Sequence, residues 1–390
     1  MEKIDDFMNH LPVHVIFGEG KIEQLAEIME ADGLKKAFLV IDKGLEEIIP
    51  EIKSAVSKLN VVKYEKEPGE PTISNVEQIA EELKKSNADV VIAIGGGSVI
   101  DSAKAARLSI TQNQKLSEFI KSDKEYVKPE ISLITVPTTA GTGSEVSGGA
   151  VITDTTTNVK VGLANPLIRA QYAIVDPVLT YGLPKSITAY TGIDAVAQAI
   201  AAVMAKVRTP IGNAVALEAI RLSKESLAAV VKNGKDKNAR SNMACASLMA
   251  GLAMNISDCT AEHSLGQAIG GMYHLPHGLT VGLVLAETME RERKHIPELM
   301  ERIADALGEA EDGSKDGSRA VRAIKRIIAE IDIPVLRDVG VKEEDIKTLA
   351  DRTMEDFFIT QSPVPWTRDE VLTAFESAYQ LTDRGMKVNV

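Results

Sequence analysis

The chain reads as an α/β half followed by an all-helical half, with the change near residue 183. Three observations predict this. Up to about residue 180, short β-rich runs alternate with helical stretches; after Pro184 the segments become long, rich in Ala, Leu and Met, and helically spaced. Two glycine-rich stretches, VIAIGGGSVID (91–101) and VPTTAGTGSEVS (136–147), fall in the first half. Three of the six histidines, His263, His274 and His277, fall within fifteen residues in the second.

The elements follow in order. HVIF, KKAFLVID, NVVKYEK, ADVVIAI and ISLITVP predict strands, with helices such as KIEQLAEIMEA and NVEQIAEELKKS between them. That alternation predicts a mostly parallel sheet covered by helices on both faces. GAVITD, NVKVGL and YAIVD predict further strands. From SITAYTGIDAVAQAIAAVMA onward the pattern is helical, punctuated at TPIG (209–212), HLPHG (274–278) and DIPVL (332–336), with GEAEDGSKDGS (308–318) as a surface loop. The division is residues 1–183 and 184–390, with any joint active site expected in the cleft between the halves.

Composition bounds the function. A chain of 390 residues favours two domains, and 44% apolar with 26% charged residues is an ordinary globular balance. A formal charge of −12 argues against nucleic acid or an anionic membrane as partner. Two cysteines, Cys245 and Cys259, make no disulfide framework and suit a reducing compartment. No apolar run is long enough to span a bilayer, and the start MEKIDDFMNH lacks the layout of a signal peptide. The expectation is a cytoplasmic protein.

ADVVIAI ends in three glycines, after which SVIDSAKAARL opens a helix. Glycines let backbone approach a pyrophosphate, and a helix N-terminus supplies unpaired N–H groups and a positive dipole end. Ser98 is expected at the N-cap, with Asp101 as its capping-box partner. The second stretch adds the hydroxyls of Thr138, Thr139, Thr142 and Ser144, with flexible backbone at Gly141 and Gly143. Neither stretch is a GxGxxG fingerprint. Asp42 ends its strand, where it either accepts hydrogen bonds from a ribose diol, favouring NAD over NADP, or caps the following helix.

In the helical half, Asp194 and Gln198 stand i,i+4 on one helix face. His263 lies in DCTAEHSLGQAIGGM and His277 follows Pro276, at the expected start of another helix. One Asp and two His form a donor set suited to Zn²⁺ or Fe²⁺. Cys259, four residues before His263, is either a soft ligand or a small buried thiol. His10, His14 and His295 have no such company and read as structural.

Taken together, GEPT (69–72), GGGSVID (95–101), PTTAGTGSEV (137–146), TGIDAVAQAI (191–200), AEHSLGQAIGGMYHLPHG (261–278) and IPVLRDVGVKEEDI (333–346) resemble the iron-containing (group III) alcohol dehydrogenase family over essentially the whole chain. The resemblance implies a dehydroquinate synthase-like architecture: an N-terminal dinucleotide-binding domain and an all-α metal-binding domain. It implies NAD(P) phosphates on Gly96, Gly97 and Ser98, further contacts from Thr138, Thr139, Thr142 and Lys160, and an NAD preference from Asp42. It puts the metal ligands at Asp194, Gln198, His263 and His277. The family usually carries histidine where this chain has Gln198 and Gln267, which leaves three strong ligands and a catalytic site with an open position.

The implied reaction is reversible hydride transfer between a small alcohol and nicotinamide, in a homodimer or larger assembly. His277 at the metal and His274 as proton relay are the catalytic candidates. Residues around 147–151, the segment 259–274 and FFITQSPVPW (357–366) are the expected substrate walls. A metal-free member that binds NAD without this activity is the second reading. A sugar-phosphate cyclase of dehydroquinate synthase type is the third.

Overall fold

The computed structural model describes residues 7–8, 11–122, 125–157 and 159–380. Residues 1–6 and His10, on which the reading of the N-terminus and of one solitary histidine rests, lie outside them. The chain divides into two compact units, one spanning Leu11–Leu183 and the other carrying everything from Pro184 onward.

In the first unit the strands are β1 (His14–Phe17), β2 (Ala37–Asp42), β3 (Val61–Lys66), β4 (Val90–Gly95), β5 (Ser132–Pro137), β6 (Gly149–Asp154), β7 (Val159–Ala164) and β8 (Tyr172–Val175). Its helices are α1 (Leu25–Ala31), α2 (Leu45–Ile48), α3 (Pro50–Val56), α4 (Ile73–Ser86), α5 (Gly97–Thr111) and α6 (Leu116–Phe119). Six strands form one sheet in the order β1-β8-β5-β4-β2-β3, every pairing parallel. β6 and β7 form a separate antiparallel hairpin.

Side-chain alternation on the strands builds two cores. Phe38, Val40, Val91 and Ala93 face Val76, Ile79 and Leu83 of α4 and Val99, Ala103 and Ala106 of α5. Ala37, Leu39, Ile41, Val90, Ile92 and Ile94 face Leu25 and Ile28 of α1 and Ile52 of α3. Burial on both faces requires the near-continuous apolar runs seen in β2 and β4.

The second unit is helical: α7 (Lys185–Met204), α8 (Pro210–Lys232), α9 (Lys237–Ser257), α10 (Ala261–Tyr273), α11 (His277–Glu292), α12 (Pro297–Ala306), α13 (Ser318–Glu330), α14 (Ile346–Met354) and α15 (Arg368–Gln380). Thr209 starts α8 by accepting from the Gly212 amide at 3.0 Å, with Pro210 as the first helical residue. At 20 residues α7 is long and apolar enough to cross a membrane, contrary to the expectation of no such segment. It is instead a core helix, packed by α8, α9 and α11.

A polar cluster is buried inside the α/β unit. The Lys104 ammonium on α5 donates to Ser144 O (2.6 Å), Ser144 Oγ (3.1 Å), Ser147 Oγ (3.0 Å) and Gly149 O (2.8 Å). Asp101 accepts from Ser144 Oγ at 2.5 Å and from the Val151 amide at 2.9 Å. These contacts fasten α5 to the second glycine-rich loop and to β6. An unpaired charge at such depth would cost several kcal/mol, and the acceptors offset it. Burial pushes Lys104 down to about 8 against the pull of Asp101 and Glu145. Glu145, also buried, is pushed up to about 7 by desolvation, which outweighs the Lys104 charge.

For Glu145 the folded pKa lies above the unfolded one, so its contribution to stability is present at low pH and lost as pH rises through about 7. Glu145→Gln removes that loss. Thermal melts are expected to show the variant gaining on the wild type at pH 8 relative to pH 5; a gap independent of pH would refute this account of Glu145.

Candidate functional site

Strand register gathers the first set of residues. β4 pairs with β2 and β5, with Ile41 beside Ile94 and Gly95 beside Pro137. Asp42, the triple glycine and the Thr138–Thr142 loop therefore leave the sheet together at the carboxyl ends of three adjacent strands, where open α/β sheets bind ligands. Thr138 donates its amide to Gly95 O at 3.0 Å, tying the two loops together. A Cβ on Gly97 would lie 2.7 Å from Thr142 Oγ1, so only glycine permits this approach.

The helix start differs from the expected capping box. Gly96, not Ser98, is the N-cap of α5, and no side chain caps it. Asp101 is drawn away by Ser144 and Val151, which bury it. The amides of Gly97 and Ser98 consequently meet no acceptor within the described residues. This suits an anion better than a capped end does.

Asp42 does not cap the helix after it either; the N-cap of α2 is Gly44 with no side-chain bond. Its carboxylate instead accepts from the Gly96 N–H. Burial holds it above the ordinary carboxylate range, opposed by the charge of Lys66 on the paired strand. Thr138 is buried, while Thr139 and Thr142 are half-buried along the loop. Lys160, on β7, is ion-paired with Glu70 of GEPT at 3.2 Å.

The second set is in the helical unit. Between Gly192 and Met204 of α7 every residue is buried, and Asp194 and Gln198 are the polar ones. Asp194 Oδ1 lies 3.8 Å from His263 Nε2 on α10 and 3.7 Å from His277 Nε2 at the start of α11. The two imidazoles are 5.6 Å apart between centroids. The three potential donor atoms all lie within 4.8 Å of one another. Ligands of a tetrahedral ion at 2.0–2.2 Å sit about 3.4 Å apart. The two carboxylate–imidazole distances, 3.7 and 3.8 Å, lie close to that spacing.

Chemistry supports the same reading. His263 Nε2 and Gln198 Oε1 are buried lone-pair groups with no hydrogen bond within the described residues. Such groups are costly unless something else takes them up. Gln198 donates through Nε2 to Asp194 Oδ2 at 3.3 Å, and so holds the carboxylate with its other oxygen toward the imidazoles. Cys259 is fully buried and its thiol is pushed up to about 11 by desolvation, so it is a neutral core group. His263 Nδ1 bonds Glu262 Oε1 at 2.8 Å. Sequence reading missed Glu262; the signal was an acid beside a candidate ligand in an otherwise apolar stretch.

The close packing of helices sets the triad. A Cβ on Gly278 would fall 2.0 Å from Tyr190 O and 3.0 Å from Asp194 Cβ, so the start of α11 rests directly on α7. The segment after α14 is pinned to the start of α10. Ser264 Oγ donates to Asp356 at 2.5 Å, the Ala261 amide donates to Ser362 Oγ at 3.2 Å, and Phe358 packs against His263 at 6.0 Å. His274 ends α10 in the left-handed conformation (φ 55°), exposed and outside the triad. Gln267, one turn after His263, is half-buried. His14 stacks on Tyr172, and His295 closes a turn with Glu292.

The profile described as iron-containing alcohol dehydrogenase matches residues 12–177, and that of the Fe-containing alcohol dehydrogenase family, C-terminal, matches 188–379. The chain is 32% identical over 378 residues to alcohol dehydrogenase 4 of Saccharomyces cerevisiae, covering 95% of this chain and 98% of that one. It is 33% identical to the NAD-dependent methanol dehydrogenase of Bacillus methanolicus, covering 94% and 98%. The crystal structure of a 1,3-propanediol oxidoreductase superposes with a TM-score of 0.91 at 31% identity, covering 96% of this chain and all of that one.

Gly278→Ala is expected to force α11 off α7 and separate His277 from Asp194. Metal analysis after reconstitution should find the variant substantially empty while NADH binding persists. Full metal loading of the variant would show that the contact does not set the triad.

Proposed function

The chain belongs to the iron-containing alcohol dehydrogenase family, and on that footing we propose that it interconverts a small alcohol and its aldehyde or ketone by hydride exchange with NAD(H), at a divalent metal held by Asp194, His263 and His277. The observation that carries this is the convergence of one carboxylate and two imidazoles, with the buried Nε2 of His263 making no hydrogen bond among the described residues. One hard anionic oxygen and two borderline nitrogens suit Fe²⁺ or Zn²⁺. When bound, the metal supplies Lewis acidity toward a substrate oxygen and the nicotinamide supplies the hydride acceptor.

The side chains divide the remaining work. Asp194 brings negative charge, and Gln198 orients it, with the buried Gln198 carbonyl as a further neutral oxygen beside the triad. The His277 side chain is 25% exposed against 3% for His263, so the open side of the triad is the His277 side. Substrate approaches there, and the proton it releases leaves through water or the exposed His274. In the α/β unit the amides of Gly97 and Ser98 receive the pyrophosphate. Gly96, its own amide engaged by Asp42, contributes the space for close approach. Hydroxyls of Thr138, Thr139 and Thr142 and the cation of Lys160 add further contacts. Asp42 accepts from the adenosine ribose and disfavours a 2′-phosphate.

Phe357 and Phe358, whose rings meet edge-to-face at 5.9 Å, supply an apolar wall suited to short aliphatic chains. We place the protein in the cytoplasm as a homodimer or larger, acting on small molecules rather than nucleic acid or membrane. The net charge of −12 argues against nucleic acid and anionic membrane, and the two unbonded cysteines suit a reducing compartment. A metal-free NAD-binding protein is the competing reading, favoured by an amide at Gln198.

The deciding experiment assays metal content and aldehyde-dependent NADH oxidation in one preparation. Exhaustive chelation should abolish turnover, and Fe²⁺ or Zn²⁺ should restore it. His263→Ala should lose roughly a thousandfold in kcat/KM, about 4 kcal/mol of transition-state stabilisation. NADH binding should be retained in that variant. Turnover that survives chelation would sink the metal role.

A separate kinetic measurement addresses cofactor choice. Asp42→Ala is expected to improve NADP⁺ relative to NAD⁺ by about tenfold in kcat/KM, the equivalent of ~1.4 kcal/mol. An unchanged ratio would remove Asp42 from cofactor selection.

A further inference from the structure

We infer that Glu262 is a positioning residue of the metal centre, holding His263 in the one tautomer that can bind a cation. The inference rests on the metal reading above and extends it to a side chain outside the ligand set.

Glu262 is fully buried in the first turn of α10. A carboxylate there is costly unless donors surround it. Three do. The Thr260 amide donates to Oε1 at 3.2 Å, Thr260 Oγ1 donates to Oε2 at 2.5 Å, and His263 Nδ1 lies 2.8 Å from Oε1. Thr260 thus fixes the carboxylate plane from both oxygens. Because Oε1 already accepts from a backbone amide, it acts as an acceptor toward the ring as well. In the neutral imidazole the proton then sits on Nδ1, leaving a lone pair on Nε2. That nitrogen lies 3.8 Å from Asp194 Oδ1 and makes no hydrogen bond among the described residues.

A carboxylate on the far nitrogen of a ligating histidine fixes ring orientation and tautomer, and raises ligand basicity. Here it strengthens one imidazole in a centre whose fourth nearby donor is only an amide. The bland role for Glu262 is to favour the start of α10 through the helix dipole. That role predicts a change in melting temperature and none in tautomer or metal affinity.

The test compares the full-length wild type with Glu262→Gln and Thr260→Val, each stripped of metal by chelation. Long-range ¹H–¹⁵N spectra of histidine-labelled protein report the His263 tautomer, assigned with His263→Ala. Competition with a chromophoric chelator gives the Zn²⁺ affinity, and NADH titration controls for the fold of the other unit. The wild type should show the Nδ1–H form. Glu262→Gln should shift toward Nε2–H and bind Zn²⁺ roughly 10- to 100-fold more weakly, with NADH binding unchanged. Thr260→Val should weaken Zn²⁺ in the same direction by less. Wild-type tautomer and affinity in Glu262→Gln would overturn the inference. Should that variant fail to fold, unaltered Zn²⁺ binding in Thr260→Val would overturn it. If the wild type binds neither Zn²⁺ nor Fe²⁺, the metal reading itself falls, a result distinguishable from failure of the Glu262 role alone.

Discussion

A carboxylate in the middle of an apolar helix is the constraint from which the helical unit follows. Asp194 is 1% exposed on α7, among alanines, valines and isoleucines that pack α8, α9 and α11. Leaving it uncompensated would cost several kcal/mol, a large share of the marginal stability of a typical domain. The Gln198 amide reaches it from one turn on along α7, and two imidazoles reach it because α10 and α11 pack closely, with Gly278 of α11 seated on the backbone of α7. The motif PHG is therefore both chemistry and sterics: the histidine offers a lone pair, and the glycine lets its helix approach.

The α/β unit meets its own constraint by register. Parallel pairing of β2, β4 and β5 places their carboxyl ends side by side, which turns three distant sequence segments into one anion-receptive edge. The Lys104 and Asp101 cluster keeps the second loop against α5, so the backbone amides stay where the strands leave them. Buried charge thus plays a positioning part in both units, compensated by fixed polar partners in each.

Much of this was legible in the sequence for identifiable reasons. All eight strand patterns appear as strands, because short β-branched runs bounded by turn residues leave a local signature, strongest in β2 and β4, which are buried on both faces. The i,i+4 spacing of Asp194 and Gln198 was legible because one helix determines it. The capping box at Ser98 was misread: Asp101 has partners 43 and 50 residues away that outcompete a local cap. Asp42 as a helix cap failed similarly, since the nearest donor to its carboxylate belongs to the neighbouring strand's turn. Glu262 escaped notice because its role depends on which ring nitrogen it faces.

Local periodicity, glycine placement and donor type are properties of neighbouring residues, and the sequence by itself determined them: the α/β-then-α order, the glycine-rich turn after β4 and the Asp/His/His set. Which side chains meet across elements was decided only by tertiary structure. Close packing at single glycines and strand register bring residues tens of positions apart within hydrogen-bonding distance, and no local pattern encodes those separations. The His263 tautomer, the uncapped start of α5 and the spacing of the triad belong to that second category.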